Sequence, residues 1–451
     1  MPRPKLGRKE FIALVETLKY SEEVKPSQEI KRRIFQKYNV GEEKDPTLTI
    51  VFYDIMRSLG ILDKIIVKAL KIPNIYILDP WLRAALRAAT YFIHTPRYPL
   101  RRNEREILKK SIAKFLSQTT HPYTGVYYWD AVEKLIPEAK YEIKDKLDEL
   151  EYKYKMPKWI ITKIKNILSW EETEQLLREF NKPTLISIRV NTLKASVEEV
   201  AAQLKIEGKK PIIGRYVPTV IKFKGPYNFS KSKLYQEGKI IPQDEACAYA
   251  TLILNPKPGE KVVDMCAAPG GKTTHMAELM RNEGVIYALD IDENRIKVLK
   301  QNIERMGIKN VKIMKIDCRK APQILGENIA DKVLLDPPCT SSGTLAKYPE
   351  VRWRLTEKKI QELAEYQYQM LKSAVKLARR GGLILYTVCS IFPEECEDNI
   401  KRLLREYKGK IELVKLKSKL SQGLIPGTLR AWPHKHKITG FFYALLRKIE
   451  D

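Results

Sequence analysis

The sequence predicts a Rossmann-like α/β domain, doubly wound around a mostly parallel seven-stranded sheet and preceded by a small α/β subdomain and an all-α N-terminal domain. Three observations support this prediction. Strand and helix patterns alternate from about residue 240 onward, mixed patterns fill residues 153–240, and helical periodicity dominates before them. A chain of 451 residues is also long enough for two or three domains. We therefore expect domains at residues 1–152, 153–240 and 241–451.

The first 150 residues predict a helical bundle. Phe11, Leu14 and Leu18 show the spacing of a buried helix face, and similar runs follow. Farther along, Arg83 and Arg87 would share one face of a helix beside an apolar stripe. That face fits exposure to solvent as well as it fits a contact to RNA, so the sequence leaves both open.

The middle and C-terminal regions supply the remaining elements. In the middle region the patterns predict two helices over residues 159–180, a strand over 185–190, a helix over 196–204 and a strand over 220–223. In the C-terminal region they predict strands at residues 261–265, 285–289, 311–316, 332–335, 383–387 and 441–446, and helices at residues 273–281, 293–306 and 357–379.

The charge of the chain indicates a polyanionic partner. There are 82 Lys and Arg residues against 55 Asp and Glu residues, a net charge of +27, and the basic residues recur along the whole sequence. The charged surface of a heat-adapted protein would balance acids against bases, which this composition does not do. Nucleic acid is therefore the expected partner.

Composition also disfavours several other classes of protein. The sequence has no signal-peptide core and no stretch long enough to cross a membrane, so we expect a cytoplasmic protein with no membrane partner. We also expect a monomer. All six cysteines lie in the C-terminal half, with no CxxC pair and no histidines at ligand spacing. We therefore expect neither a disulfide framework nor a metal site.

Residues 262–275 (VVDMCAAPGGKTTH) combine a strand, a turn of small residues and the start of a helix. Gly270 and Gly271 let the backbone approach a ligand closely, and free amides at the helix entrance can face a carboxylate. A P-loop is the obvious rival, but it requires glycine where this chain has Cys266. The sequence therefore excludes the nucleoside triphosphatase interpretation of this turn.

Acidic residues follow the next two strands. Asp290 ends the second strand, where a carboxylate can accept both hydroxyls of a ribose, whereas Asp292 lies past the strand end and is expected to cap the next helix. Asp317 follows the third strand, where an acid or its adjacent backbone can meet an adenine amino group. Each acid alone is a weak indicator, since such residues are often helix caps. Together, behind a Gly-Gly turn, they indicate a nucleoside cofactor.

The fourth and fifth strands each lead into a cysteine. Cys339 follows Asp336 and two prolines, and Cys389 lies in the run TVCS. Enzymes that methylate exocyclic amino groups use a similar Asp-Pro-Pro, but with an aromatic residue where this chain has Cys339. A thiolate that adds to carbon 6 of a pyrimidine turns carbon 5 into a nucleophile, and a base must later remove the carbon 5 proton. Two thiols at neighbouring strand ends therefore favour methylation of pyrimidine carbon 5.

These motifs resemble the Fmu/Sun family of RNA cytosine-5 methyltransferases. The middle region resembles the RNA-contacting pre-catalytic subdomain of that family, and the first 150 residues more weakly resemble a NusB-like, RNA-binding helical domain. The resemblance implies S-adenosyl-L-methionine as the cofactor. The stretches that carry it are PQDEA at residues 242–246, DMCAAPGGKTT at 264–274, DID at 290–292, DPPC at 336–339, TVCS at 387–390 and GFF at 440–442, with RVNT at 189–192 in the middle region.

The resemblance also implies roles for individual residues. Cys389 would be the nucleophile and Cys339 would assist product release. Spacing alone does not rank the two thiols, because DNA cytosine methyltransferases carry their nucleophile at the position of Cys339. Lys272 and Asp336 would border the target cytosine, which completes the expected catalytic set. The residues expected to line the cofactor pocket are Cys266, Ala267, Ala268, Pro269, Gly270, Gly271, Lys272, Asp290, Arg295, Asp317 and Asp336.

The substrate is the least determined part of the prediction. Family members with such an N-terminal domain favour ribosomal RNA, so small-subunit ribosomal RNA ranks above transfer RNA. The target base must be unpaired or flipped out to reach the thiols. The remaining hypothesis is a non-catalytic RNA-binding assembly factor with a vestigial pocket, which the intact motif residues disfavour.

Overall fold

The computed structural model describes residues 4–23, 27–94 and 97–450. The chain forms two compact units. The first contains the residues up to Thr162 together with Arg352–Arg354, and the second contains Lys163–Val351 and the chain from Leu355 onward. The first unit thus extends ten residues past the expected boundary at 152 and includes three residues from much later in the sequence, which no local pattern predicts.

The first unit is helical, as the periodicity predicted. Its core consists of apolar side chains such as Phe11, Phe52 and Leu86, which are fully buried. A 3₁₀ turn at Ile75–Ile77 and a π-helical turn at Ala131–Leu135 separate some of the helices. The helices are α1 Arg8–Ser21, α2 Ser27–Lys37, α3 Asp45–Leu70, α4 Pro80–His94, α5 Arg102–Thr119, α6 Pro122–Asp130, α7 Lys146–Tyr154 and α8 Lys158–Lys165, which runs past the unit boundary.

Arg83 and Arg87 of α4 are not exposed, so they are not available for a contact with solvent or with RNA. Both are buried, and both form ion pairs with Glu22. The guanidinium of Arg87 also donates two hydrogen bonds to Asp63, at 2.6 and 2.8 Å. Both interpretations of this face were therefore wrong, because the partner carboxylates come from α3 and from beyond the end of α1.

The second unit begins with a small antiparallel sheet. Its strands are β1 Ile186–Val190, β2 Ile212–Ile213, β3 Val220–Phe223 and β4 Ile240–Pro242, in the order β2-β3-β1-β4. Since β4 pairs with β1, this sheet extends across the expected boundary at residue 240. The helices of this region are α9 Trp170–Glu179, α10 Val197–Ile206 and α11 Lys233–Gln236.

The rest of the second unit is built on a nine-stranded sheet. Its order is β11-β12-β13-β9-β8-β5-β6-β7, with β10 also paired to β13. The strands are β5 Lys261–Asp264, β6 Val285–Asp290, β7 Val311–Lys315, β8 Ala330–Leu335, β9 Ala378–Val388, β10 Ile411–Val414, β11 Ser421–Gln422, β12 Leu429–Ala431 and β13 Phe441–Lys448. The helices are α12 Glu245–Leu254, α13 Gly271–Leu279, α14 Glu293–Met306, α15 Ala321–Leu325, α17 Glu357–Leu377, α18 Glu397–Glu406 and α19 Pro433–His436. Between α15 and α17 lies α16 Val351–Arg354, whose last three residues belong to the first unit.

The predicted seven-stranded sheet is contained in this larger one. Strands β5 to β9 are parallel, β13 is antiparallel to β9, and β10 is antiparallel to β13 and so runs in the direction of the parallel set. Six of the nine strands, β5 to β9 and β13, correspond to segments predicted from the sequence, whereas β10 and the two short strands β11 and β12 were not located there. Strands β6 and β7 lie on one side of β5, whereas β8 and β9 lie on the other. The direction in which strands are added therefore reverses between β5 and β8, and open α/β sheets bind ligands at such a point.

Within the described residues, no helix combines the length and the apolar character needed to cross a bilayer.

Candidate active site

The loop between β5 and α13 has the backbone that a close ligand approach requires. Gly270 has φ +105°, a conformation that side-chain-bearing residues rarely adopt, and α13 begins at the next residue. A Cβ on Gly270 would lie 2.8 Å from a methyl group of Leu299. Position 270 is therefore restricted to glycine, and the N-terminus of α13 lies at the carboxyl edge of the sheet.

Asp264, the last residue of β5, is buried under this loop. Its carboxylate accepts a hydrogen bond from the hydroxyl of Thr273 at 2.7 Å. Burial raises the pKa of Asp264 to about 6, although the Thr273 hydrogen bond works in the opposite direction. Asp264 therefore fixes the start of α13 from below.

The acid at the end of β6 holds the same loop from the other side. Asp290 accepts hydrogen bonds from the backbone amides of Ala268, at 3.1 Å, and of Asp292, at 3.0 Å. Arg295 reaches the Asp290 carboxylate at 3.5 Å and donates to the carbonyl of Ala268. Asp292 caps α14 through the amides of Asn294 and Arg295, as predicted.

Asp317 follows β7 and is already engaged by a neighbour. Its carboxylate accepts a hydrogen bond from the backbone amide of Arg319 at 3.0 Å and pairs with the guanidinium of that residue. The Arg319 hydrogen bond lowers the pKa of Asp317, so the group is held as a carboxylate. The Asp317 carboxylate is therefore already committed to Arg319.

The two predicted thiols lie side by side. The Sγ atoms of Cys339, in the loop after β8, and Cys389, after β9, are 3.2 Å apart. The hydrogen bond to Cys389 and, after it, burial raise the pKa of Cys339 well above its usual range. The parallel register of β8 and β9 creates this proximity, because equivalent positions at the ends of adjacent parallel strands meet at one sheet edge.

Lys272 lies on the helix after β5 and Asp336 directly follows β8, the neighbouring strand in the sheet. They form an ion pair, with Lys272 on α13 almost fully buried and Asp336 partly exposed. Burial, the largest single effect, lowers the pKa of Lys272, but the charges and hydrogen bonds of Asp336 and Cys247 together outweigh burial and raise the pKa. The Lys272 ammonium also lies 2.7 Å from the thiol of Cys247, a residue that the sequence analysis missed. The feature of the sequence that could have identified Cys247 is its position directly after the PQDEA motif.

Three of the four residues of the RVNT motif, Arg189 to Asn191, are buried. Arg189 is fully buried and donates to Gln243 at 2.6 Å and to Thr274 at 2.8 Å, besides pairing with Glu278. Asn191 donates to two backbone carbonyls, at 2.8 and 2.9 Å. Arg189 therefore joins the small sheet to α13, and Asn191 joins it to the end of α14 and to the loop before β4.

In the described parts of the chain, no three His, Cys, Asp or Glu side chains are grouped so that they would hold a metal ion.

Two family models match the chain. One, described as 16S rRNA methyltransferase RsmB/F, covers residues 251–447, and the other, a RsmF/B-like ferredoxin-like domain, covers residues 156–230. A probable ribosomal RNA small subunit methyltransferase B from Synechocystis is 34% identical over 65% of this chain and 67% of the relative. The chain belongs to the RsmB/RsmF family. This is the Fmu/Sun family of S-adenosylmethionine-dependent RNA cytosine-C5 methyltransferases that the motifs predicted.

Other members of the family match to different extents. A tRNA (cytosine(72)-C(5))-methyltransferase from Pyrococcus horikoshii is 42% identical, but the match spans 52% of this chain and 58% of the relative. A probable ribosomal RNA small subunit methyltransferase B from Bacillus subtilis is 26% identical over 97% of this chain and 98% of the relative.

Solved structures agree with the fold. The crystal structure of PH0851 superimposes with a TM-score of 0.92 and 50% identity, covering 99% of this chain and 100% of the other. The crystal structure of NSun6 from Pyrococcus horikoshii with SFG has a TM-score of 0.61 and 30% identity, covering 65% of this chain and 99% of the other.

Proposed function

We propose that the protein transfers a methyl group from S-adenosylmethionine to carbon 5 of a cytosine in structured RNA, through a covalent adduct with Cys389. The observation that carries the proposal is the 3.2 Å separation of the Cys339 and Cys389 thiols at adjacent strand ends. An apolar core position explains one buried cysteine. It does not explain two thiols in contact at the edge of the sheet where the cofactor turn also lies.

The proposed chemistry requires one nucleophile and one proton acceptor. The Cys389 thiolate adds to carbon 6 of the cytosine, and the electron pair of the C5–C6 double bond moves to give an enamine that is nucleophilic at carbon 5. The cofactor supplies an electrophilic methyl group. Once carbon 5 carries this methyl, a base removes the carbon 5 proton, the C5–C6 double bond re-forms, and the C6–S bond breaks to release Cys389.

The position of Cys339 supports its assisting role, because its Sγ lies 3.2 Å from that of Cys389. From there Cys339 can hydrogen-bond the neighbouring sulfur and assist release of the product. The assignment of the nucleophile to Cys389 still derives from the family pattern.

Lys272 and Asp336 would hold the target base. One carboxylate oxygen of Asp336 is bound by Lys272, and the side chain is partly exposed, which leaves the other oxygen to accept a hydrogen bond from the cytosine amino group. A fixed charge beside the ring stabilises the adduct more effectively than water would, because it needs no reorganisation.

The residues around the Gly270 turn fit S-adenosylmethionine. We assign the methionine carboxylate to the amides at the start of α13, the ribose hydroxyls to Asp290, and the adenine to the backbone beside Asp317. Arg295 acts indirectly in this arrangement, since it holds the carbonyl of Ala268 and the carboxylate of Asp290. We assign the small residues Cys266 to Pro269 to the floor of this pocket.

Small-subunit ribosomal RNA is the substrate we favour. The Bacillus relative named for that substrate matches 97% of the chain, so it includes the helical N-terminal unit. The relative named for transfer RNA matches only about half of the chain, although at higher identity. Transfer RNA is therefore the second candidate.

Two cysteine variants test the reaction. Cys389→Ala should lower methyl transfer by at least about 10³-fold, since removal of a nucleophile removes the covalent route. Cys339→Ala should accumulate a protein–RNA complex that survives denaturing electrophoresis. Titration calorimetry with S-adenosylmethionine serves as the control, because both variants should bind the cofactor as the native protein does. Full turnover by Cys389→Ala would overturn the proposal.

The substrate needs a separate experiment. Bisulfite sequencing of total RNA from a strain that lacks the gene should show the loss of one 5-methylcytosine in small-subunit ribosomal RNA. Loss of a transfer RNA site instead would contradict our ranking of substrates and leave the chemistry intact.

A further inference from the structure

A fully buried carboxylate lies behind the two thiols. Glu395, in a short turn at Pro393–Glu395 after β9, accepts hydrogen bonds from the backbone amide of Thr340 at 2.9 Å and from its hydroxyl at 2.5 Å. It also accepts one from the hydroxyl of Ser390 at 2.5 Å and one from the side-chain amide of Gln367 at 2.9 Å. Thr340 directly follows Cys339, and Ser390 directly follows Cys389.

These contacts satisfy the carboxylate and hold it in place. A buried carboxylate is costly unless donors replace its hydration, and four donors converge on this one. The backbone carbonyl of Glu395 accepts a further hydrogen bond from the hydroxyl of Tyr386 in β9 at 2.6 Å. Gln367 also donates to the carbonyl of Pro338 at 2.9 Å. The residues on both sides of Cys339 are thus linked, directly or through Gln367, to one acceptor.

We propose that Glu395 is a positioning residue that sets the separation of the two thiols by accepting hydrogen bonds from the residue that follows each cysteine. The inference rests on the proposed two-thiol mechanism, in which Cys389 must reach carbon 6 while Cys339 stays within reach of the same adduct.

The geometry explains why one side chain can have this effect. Each cysteine is one residue away from a group bound to Glu395, so neither loop can shift without breaking a hydrogen bond to a buried acceptor, which is the expensive kind to lose. The charge of Glu395 also contributes to the raised pKa of Cys339, after the Cys389 hydrogen bond and burial.

Glu395→Ala and Glu395→Gln separate positioning from charge. The glutamine retains the acceptor for the two N–H donors, and the Thr340 and Ser390 hydroxyls can rotate to accept from its amide. We expect Glu395→Ala to lower kcat by about 100-fold with the KM for RNA unchanged within about threefold, and Glu395→Gln to retain at least about a tenth of native kcat. An alanine variant with native kcat, or a glutamine variant as inactive as the alanine variant, would overturn the proposal.

Glu394→Ala is the matched control. Glu394 lies in the same turn but pairs with Lys163 at 2.5 Å instead of binding either cysteine loop. It should keep native kcat and KM. A comparable loss of kcat in Glu394→Ala would show that the turn as a whole matters, and would overturn the specific role of Glu395.

A second measurement does not depend on methyl transfer. Hydrogen peroxide oxidises one thiol to a sulfenic acid with release of one water, and the neighbouring thiol then attacks that sulfur to form the disulfide with release of a second water. Because a more distant second thiol leaves time for further oxidation by peroxide to sulfinic acid, the ratio of disulfide to sulfinic acid reports how closely the two sulfurs are held. Peptide mass spectrometry should find this ratio for Cys339 and Cys389 several-fold lower in Thr340→Val and Ser390→Ala, which each remove one hydroxyl and leave Glu395 in place. An unchanged ratio in both would overturn the positioning role even if Glu395→Ala fails to fold. A fully active Cys389→Ala would instead refute the two-thiol mechanism, so the two failures are distinguishable.

Discussion

The Lys272–Asp336 ion pair shows how a single contact can serve both stability and chemistry. Removing one member of a buried ion pair is costly, about 3–5 kcal/mol, because the other charge is left without a partner. Here Lys272 is almost fully buried, whereas Asp336 is a quarter exposed on its side chain. The lysine therefore carries the stability cost, and the aspartate is the member within reach of a substrate.

Asp336→Asn should affect catalysis more than cofactor binding. Asparagine keeps the shape but removes the charge that would stabilise the adduct, so kcat should fall by about 10²- to 10³-fold. The affinity for S-adenosylmethionine, measured by calorimetry, should change only a few-fold. Asp331→Asn is the control, since Asp331 lies at the other end of β8 and pairs with Arg379 at 2.6 Å. A kcat within threefold of native for Asp336→Asn would remove Asp336 from the catalytic set.

Asp264 should make stability depend on pH in a defined direction. Its pKa is about 6 in the folded protein and about 3.9 in an unfolded chain, so the folded state binds the proton more tightly. The stability that this group contributes is complete below about pH 4 and is lost as the pH rises through 6, on the order of 3 kcal/mol in all.

Thermal unfolding of Asp264→Asn against the native protein measures this contribution. The Tm of the native protein minus that of the variant should decrease as the pH rises from 4 to 7 and then stay constant. Subtracting the two removes the effects of other titrating groups, which are shared. A difference that stays flat, or increases, over this range would contradict the assigned pKa.

Beside Cys389, two chain segments are in direct backbone contact at a pair of glycines, Gly343 and Gly440. Gly343 accepts a hydrogen bond from the amide of Gly440 at 2.9 Å, and its own amide donates to the carbonyl of Cys389 at 2.9 Å. A Cβ on Gly343 would lie 2.1 Å from the Gly440 carbonyl oxygen. The turn after β8 and the start of β13 can approach this closely only because both residues are glycine.

Gly343→Ala should therefore disturb both packing and activity. The added methyl group has no space, so the free energy of unfolding should fall by about 1–3 kcal/mol. Since Gly343 is hydrogen-bonded to the Cys389 backbone, kcat should fall at least about tenfold. Gly41→Ala, where a Cβ meets nothing within 4 Å, should be neutral in both assays. Native turnover by Gly343→Ala would show that the loop tolerates the shift.

The elements that the sequence predicted well have strong local patterns. Strand β3 and helix α14 were predicted to the residue, because apolar periodicity and the Asp292 cap are local features. Strands β11 and β12 have two and three residues and give no periodicity to detect. They are defined by pairing, of β11 with β12 and of β12 with β13, which is a tertiary property.

The same distinction applies to the site. Both thiols were predicted, because each follows a motif at a strand end. Cys247 and Glu395 were missed, since their roles come from partners 25 and 55 residues away in sequence, Lys272 and Thr340. Arg87 was misjudged for the same reason, as its partner Asp63 lies on another helix. Sequence patterns identify which strand end a residue occupies, but not which side chain from another element meets it there.

The charge of the whole molecule cannot be neutralised internally. Basic residues exceed acidic ones by 27, so even complete one-to-one pairing would leave that many positive charges without a carboxylate. Many of the acids are in fact committed to ion pairs, as Glu22 and Asp63 are to Arg87. The remaining positive charge lies on the surface, where it attracts a polyanion at long range.

RNA binding should therefore depend steeply on salt. Each phosphate contact releases a bound counterion, so a complex with about 6–10 such contacts loses roughly 10³–10⁵ in affinity between 50 and 200 mM salt. Filter binding of a small-subunit ribosomal RNA fragment over this range measures the slope of log affinity against log salt concentration. Binding of S-adenosylmethionine to the same protein is the internal control. The affinity for S-adenosylmethionine should change less than about threefold, because the cofactor contacts a few groups inside a pocket, where salt screens charges weakly. A shallow slope for RNA would mean that the excess charge lies away from the bound RNA, and that base contacts near the thiols supply the affinity.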